Sequence, residues 1–341
     1  MRTVNTSRLA AIALIACAAC ATRAAATAAA DLETYAVFDT LFLQRDNAAT
    51  DAPFIVDGDT GAPVISAGDL RVAVAPGIRT FYGRHGCEQV GWELGYVGVY
   101  GMFAEQAATG SGNLEIAPTL SSQIAGFANG SLARVSYGSV LNSGEANLLL
   151  TRTFTHRPRR SAYAADWIRH EATIDWLAGF RWAGLEENAA ILVAATPQGG
   201  GATQYGVRTS SNLYGGQLGV RGRMEWQRWA LEGWMKAALA GAALSQSQNP
   251  LVDGISGFQY RPGRGAAGGD VGGIFDLSAT VTRRLNDTWG LRAGYSMLWL
   301  TGVALAPDQF DFSTGTLAGT SLVAEKTIWL QGASLGLEAR W

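Results

Sequence analysis

Along most of this chain apolar and polar residues alternate one by one. The final segment shows it most plainly, with Trp329, Ala333, Leu335, Leu337, Ala339 and Trp341 alternating with Gly332, Ser334, Gly336, Glu338 and Arg340. A period of two puts successive side chains on opposite faces of a β-strand. Here one face is apolar and the other small or charged. Trp289, Leu291, Ala293, Tyr295, Met297 and Trp299 likewise face away from Gly290, Arg292, Gly294 and Ser296. The pattern recurs in Ala172–Trp182, Tyr214–Trp226, Trp229–Leu239 and Phe275–Val281. Rows of about ten residues are the length a tilted strand needs to cross a bilayer. Weaker alternation predicts strands near Tyr35–Leu43, Leu70–Phe81, Val90–Phe103 and Val140–Thr153. That makes ten; an extra pair within Ala125–Thr155, where Ser131–Val140 could be a strand in its own right, would bring the number to twelve.

The connections alternate in length. Met224–Trp229 and Arg284–Asp287 leave room only for tight turns, whereas Asp46–Asp69, Glu105–Gly130, Glu186–Ser211, Ser245–Asp270 and Ala304–Lys326 are long and rich in Gly, Ser, Pro and Asn. Membrane barrels have short periplasmic turns and longer external loops. The predicted fold is therefore all-β, an antiparallel up-and-down transmembrane β-barrel of about ten strands, twelve possible. Both termini fall at the short-turn end, where only Arg152–Glu171 is an unexpectedly long connection. The long segments are net acidic, and the inner connections carry Arg157, Arg159, Arg160, Arg228, Arg283 and Arg284.

Composition narrows the class. Of 341 residues only 16% are charged, 43 are glycine, and the net charge is −2. A weakly charged, aromatic-rich chain is neither a disordered protein nor a basic nucleic-acid binder. Arg2 and Arg8 precede the apolar run Leu9–Ala21, and an A-x-A site ends at Ala30. Residues 1–30 read as a cleavable secretory signal peptide and 31–341 as the barrel domain, which places the protein in the outer membrane of a Gram-negative-type envelope. Leu14–Cys17 also resembles a lipobox, which would make Cys17 a lipidated amino terminus. Beyond Ala30 the longest apolar runs, Ala189–Ala195 and Ala237–Leu244, fall far short of the ~20 residues of a membrane-spanning helix. Cys17 and Cys20 lie in the signal, so Cys87 alone remains and no disulfide framework forms.

A barrel's function lies on its inner face. The charges predicted to face the lumen are Glu93, Glu145, Asp175, Arg181, Arg221, Arg223, Glu225, Glu232, Lys236, Asp276, Arg292, Glu338 and Arg340. They line a mixed-charge pore, or they pair with one another and fill the interior, as in small barrels. Trp176, Trp182, Trp226, Trp229, Trp289, Trp299 and Trp329 are candidates for the membrane-interface girdle. The terminal Trp341 resembles the aromatic signal read by the barrel-assembly machinery.

Catalytic signals are weak. His85, His156 and His170 have no metal-ligand spacing, and Cys87 cannot complete a zinc set with them. No serine sits in a G-x-S-x-G elbow. The glycine cluster Gly263–Gly269 lacks the Lys-Ser/Thr of a phosphate loop and reads as a flexible external loop. Arg157-Pro158-Arg159-Arg160 reads as a solvated turn. The expectation is no enzyme, no cofactor and no metal.

Four segments carry a family resemblance: Glu145–Leu149; Leu177–Trp182 followed by Glu186; Asn212–Gly222, with Gly215-Gly216-Gln217-Leu218-Gly219 the most specific; and Ala293–Leu300. In order and rough spacing the chain resembles the putative beta barrel porin-7 family of outer-membrane proteins over most of its mature length. The resemblance implies an outer-membrane β-barrel and no catalytic residues or solute. The expected function is a small or narrow porin-like pore or a structural envelope protein. The alternative is a closed barrel acting through its long external loops as an adhesin or receptor-like binding protein. A third reading, a soluble exported sandwich or a protein anchored through Cys17, predicts extraction without detergent. Expected partners are outer-membrane lipid and the assembly machinery, with no nucleic acid.

If Trp341 is the assembly signal, Trp341→Ala will lower the heat-modifiable, membrane-inserted fraction on gels. Normal insertion of that variant would refute the assignment.

Overall fold

The computed structural model describes residues 33–86, 89–116, 118–156 and 170–341. The signal segment, Cys17, Cys87 and the run Arg157–Arg160 lie outside them. The described strands are β1 (Thr34–Arg45), β2 (Pro53–Asp57), β3 (Pro63–Ser66), β4 (Ala75–His85), β5 (Val90–Ile116), β6 (Gly130–His156), β7 (His170–Ala194), β8 (Thr203–Trp226), β9 (Trp229–Gln248), β10 (Leu251–Val252), β11 (Gln259–Arg261), β12 (Arg264–Arg284), β13 (Trp289–Val303) and β14 (Lys326–Arg340). Twelve belong to one sheet. Ten of these close into an antiparallel ring in the order β5-β4-β1-β14-β13-β12-β9-β8-β7-β6, with β6 pairing back onto β5. The hairpin β2–β3 extends the sheet from the far end of β5, and β10–β11 is a separate small hairpin.

The seam is made by the chain's two ends. Tyr35 is in register with Arg340, and the pairing runs on to Arg45 and Leu330. Beyond it, Thr34 and Trp341 exchange both backbone hydrogen bonds, at 2.8 and 2.9 Å. Among the described residues the ring of ten leaves no edge open where lipid would face it, which is the condition for a strand structure to span a bilayer.

The strands are longer than alternation alone predicts. Val140–Thr153 and the separate segment Ser131–Val140 are one continuous strand, β6, of 27 residues. Much of the predicted loops Glu105–Gly130, Glu186–Ser211 and Ser245–Asp270 is paired strand. The glycine cluster is not a flexible loop either: from Arg264 onward it belongs to β12, with Arg264 opposite Gln248 and Gly268 opposite Leu244. Small polar residues and glycine, read as loop markers, here form the water-facing part of a tall sheet, where no lipid demands apolar side chains. Leu70 and Val72 are not strand residues; both are buried in the apolar interior beside β2 and β3, and β4 begins at Ala75.

The physical reason for the missed length is an inversion of the hydrophobic phase. In the half nearer the termini, β7 turns Trp176 and Phe180 outward and Asp175 and Arg181 inward. Further along the same strand, Leu185, Ala189 and Ile191 point inward while Glu186 and Asn188 are exposed. Likewise β8 exposes Leu218 and Met224 and buries Arg221 and Arg223 at one end, then buries Tyr205, Val207 and Leu213 and exposes Arg208 at the other. The strand stays regular; the apolar face changes sides. Trp289 and Trp299 stand ten residues apart on the outer wall. At ~3.4 Å per residue and a tilt near 40° this spans about 25 Å along the barrel axis, the height of an apolar membrane band.

Above that band the interior is an apolar core closed by loop 304–325. Phe310 and Phe312 pack on Phe54 and Tyr205, with ring centroids 5.0–6.3 Å apart. Polar side chains of the wall fasten this loop. Ser211 accepts the Ala304 N–H at 3.1 Å, Gln248 donates to the Gln309 carbonyl at 2.7 Å, and Gln246 donates to that of Gly319 at 2.8 Å.

Close approach of β8 to β9 depends on Gly215, where a Cβ would lie 2.0 Å from the Leu239 carbonyl oxygen. Gly215→Val will lower unfolding stability in urea by about 1–3 kcal/mol. Gly216→Ala, on the open outer face with nothing within 4 Å, serves as the neutral control.

Candidate functional site

The half of the interior nearer the termini is filled with charge. Six cations, Arg79, Arg181, Arg221, Arg223, Lys236 and Arg292, and seven carboxylates, Asp39, Glu93, Glu145, Asp175, Glu232, Asp276 and Glu338, are buried there. They project from strands all round the ring at alternate positions. Glycines, serines and threonines between them leave room for the long side chains to reach across.

Arg292 is one hub: its guanidinium lies 2.6 Å from Glu338, 3.1 Å from Glu232 and 3.4 Å from Asp39. Arg223 joins the same two glutamates at 2.8 and 3.1 Å and reaches Glu225 at 2.6 Å. A second hub is Lys236, 2.6 Å from Glu145 and 3.4 Å from Glu93. Arg181 pairs with Asp276 at 2.9 Å and donates to Ser143 and Gln217. Arg221 bridges Glu93 and Asp175. At the rim, Glu225 and Arg340 are only partly buried; Arg340 contacts Glu338 and lies 3.0 Å from Glu33, and Arg284 caps Glu225.

The lattice also holds residues that alternation did not single out. Asp39 and Arg79 pair at 2.6 Å, and Arg79 donates to Ser296 at 2.7 Å. Tyr35 donates to Glu93 at 2.6 Å, and the Trp234 indole donates to Asp276 at 2.9 Å. Arg79 stacks over Trp234 at 4.7 Å, and the Lys236 ammonium lies 4.6 Å from the Phe81 ring. A charge between the apolar Val37-Phe38 and Leu41-Phe42 was the available signal for Asp39. Ions removed from water are tolerable only when paired, and these cross-barrel contacts give each of them an oppositely charged neighbour, although Asp39 Oδ1, Arg223 Nη2 and Arg292 Nε make no hydrogen bond.

The seven tryptophans of the candidate girdle sit on the outer wall, Trp176, Trp229 and Trp289 exposed and Trp182, Trp226, Trp299 and Trp329 partly so. Trp299 and Trp329 stack at 6.3 Å. Trp341 is exposed at the β1–β14 seam.

One ion pair lies inside the apolar upper half. Arg45 approaches Glu187 at 2.5 Å, and Glu187 also takes the Tyr137 hydroxyl at 2.9 Å and the Ala306 N–H at 2.9 Å. It ties the closing loop to the wall. In that loop, Asp311 is partly buried, which raises its carboxyl; hydrogen bonds from Ser313 and the Gly319 N–H prevail and hold it below the usual range. His85 lies 3.6 Å from Asp175, whose oxygens are also engaged by Thr151 and Arg221. Among the described residues no group of three or more His, Cys, Asp or Glu is placed to hold a metal ion.

Comparison with known proteins settles the class. The profile of the Putative beta barrel porin-7 (BBP7) family matches residues 123–341, more than half of the chain. The chain belongs to that family. It has an outer-membrane β-barrel, porin-like fold. No curated protein matches it in sequence. Among solved structures it is similar to the outer membrane protease OmpT from Escherichia coli, at 10% identity and a TM-score of 0.48, covering 93% of this chain and 100% of that one. A major outer membrane protein from Thermus thermophilus follows at 11% and 0.32, covering 91% and 99%, and a Pseudomonas aeruginosa FadL homologue at 8% and 0.24, covering 91% and 90%.

Removing one member of the lattice leaves its partners buried and unpaired. Lys236→Met will destabilise the barrel by about 3–5 kcal/mol in urea unfolding. Adding Glu145→Gln will recover part of that loss, giving a non-additive double-mutant cycle. Additivity would mean the two side chains are independently solvated.

Proposed function

We propose that this family member is a closed barrel that works from its outer end as a receptor-like binding protein and does not conduct solutes. The observation that carries the reading is what fills the interior. Paired charges occupy the half nearer the termini, an apolar core occupies the other, and loop 304–325 is fastened across the top by Glu187, Ser211, Gln246 and Gln248. A water path needs unpaired polar surface along its whole length, and an apolar section would interrupt it. Ten strands also enclose little more than the eight whose own side chains fill the lumen.

In this reading the thirteen inward charges are structural, and the tryptophans near Trp226, Trp229 and Trp289 on one level and Trp182, Trp299 and Trp329 on the other mark the two membrane interfaces. His85 is structural in this reading too: Asp175, 3.6 Å from it, is already held by Arg221 and Thr151. Residues 1–30 direct export, and the assembly machinery inserts the chain by recognising Trp341.

Purified protein folded in detergent and reconstituted in a planar bilayer will give no steady single-channel openings. Reproducible openings of one size would overturn the closed reading and return the inner charges to the role of a selectivity lining.

A further inference from the structure

Three segments meet at the outer end of the barrel: the turn around 118–124, the hairpin β10–β11 and the loop 313–318. Between them is a cavity of about 260 Å³. Leu120, Ile124, Leu251 and Tyr260 give it an apolar body, and two guanidinium groups, Arg261 and Arg264, join its lining.

Among the described residues neither arginine has a carboxylate within ion-pair distance. Arg261 is 7% exposed, and its hydrogen bonds go to neutral acceptors: the Tyr205 hydroxyl at 2.8 Å, the Gln248 side-chain oxygen at 3.3 Å and the Asp311 backbone carbonyl at 3.3 and 3.4 Å. Its Nε is buried with no partner. The Nε of Arg264 is buried and unpartnered too, and among the described residues no carboxylate lies within ion-pair distance of either group. Asp311 is the neighbouring acid; its carboxylate accepts from the N–H groups of Ser313 and Gly319 and attracts Arg261 only from beyond ion-pair distance. Elsewhere among the described residues buried arginines are matched by carboxylates; Arg261 is the departure, and the partly buried Arg264 adds a second positive charge beside it. A buried cation without a partner is costly unless something supplies the missing negative charge.

We propose that this cavity is a binding site for a small organic carboxylate with a compact apolar body. The carboxylate would lie between Arg261 and Arg264, where the planar fork of a guanidinium matches its two oxygens. The body would rest on Tyr260, Leu120, Ile124 and Leu251. At about 260 Å³ the cavity is smaller than the usual range for drug-sized ligands, so a single aromatic ring with its acid group is the fitting size. Gln123, Ser313, Thr314 and Thr316 complete the lining, so preference for an organic acid over a bare inorganic anion rests on contact of its body with the apolar side. This site deepens the outer-end reading above and rests on it for access from outside the cell.

The test is isothermal titration calorimetry of the full-length barrel in non-ionic detergent with benzoate as probe, at fixed ionic strength. Neutral benzamide reports apolar partitioning, and sulfate reports simple anion capture. Saturable 1:1 benzoate binding is expected, with no benzamide binding, no displacement by sulfate, and at least about a tenfold loss in Arg264→Gln. That variant is the decisive one because the Arg264 side chain makes no described hydrogen bond to the cap, whereas Arg261→Gln also unties Tyr205 and Gln248. Retained heat-modifiable migration of Arg264→Gln separates loss of the site from loss of the fold. Absence of saturable benzoate binding, equal benzamide binding, displacement by sulfate, or full binding by Arg264→Gln would each overturn the proposal. Conductance is read separately. A barrel that conducts yet binds benzoate overturns the closed reading alone, and a silent barrel that does not bind overturns the site alone.

Discussion

Lipid offers a backbone no hydrogen-bond partner, and the architecture follows from that constraint. A strand can cross the membrane only if neighbours on both sides accept and donate along its whole length. Ten strands meet the condition here by closing on themselves, and the last pairing is made by the chain's first and last strands, which makes closure a property of the whole chain. Alternation then becomes obligatory. Once the outer wall must be apolar, every second residue is turned inward whatever its chemistry.

What the inward residues do differs along the axis. Near the termini the outside is lipid, so polar residues are confined to the interior, and the narrow ring forces them into contact with one another. The result is a core held by ion pairs such as Arg292 with Glu338 and Lys236 with Glu145. Beyond the outer interface the surroundings are water, and the same ring adopts the logic of a soluble protein, with apolar residues inside and polar ones outside. Arg45 and Glu187 form a buried ion pair within that part, and their partner Ala306 belongs to the loop that seals it.

Much of this was legible in the residues. The rows Trp289–Trp299 and Trp329–Trp341 gave strands, faces and a strand number that agree with the ring of ten, because lipid imposes a strict pattern on the outer wall. The height of the barrel was not legible. Outside the membrane a strand may carry Gly, Ser and Asn on its wet face, and Gly263–Gly269 or Glu186–Ser211 then look like loops. The inward position of Glu232 or Arg292 could be read from its neighbours, but the identity of its partner depends on strands distant in sequence: Arg79 meets Ser296, and Tyr35 meets Glu93. The distance of Arg261 and Arg264 from any carboxylate carries no local signal at all, since it is a property of the folded neighbourhood.

The change of apolar face half-way along the strands bears on how the chain finds its pairing. A slip of one residue would rotate each strand's side chains to the opposite wall. Near the termini that would push Asp175 and Arg181 into lipid and Trp176 into the charged interior. Further out the same slip would strand Leu185 and Ile191 in water and bury Glu186 and Asn188. Two environments of opposite preference thus reject the same error, and neither half can drift without being opposed by the other. A strand of uniform polarity would have one such safeguard; β7 and β8 have two, in series along their length.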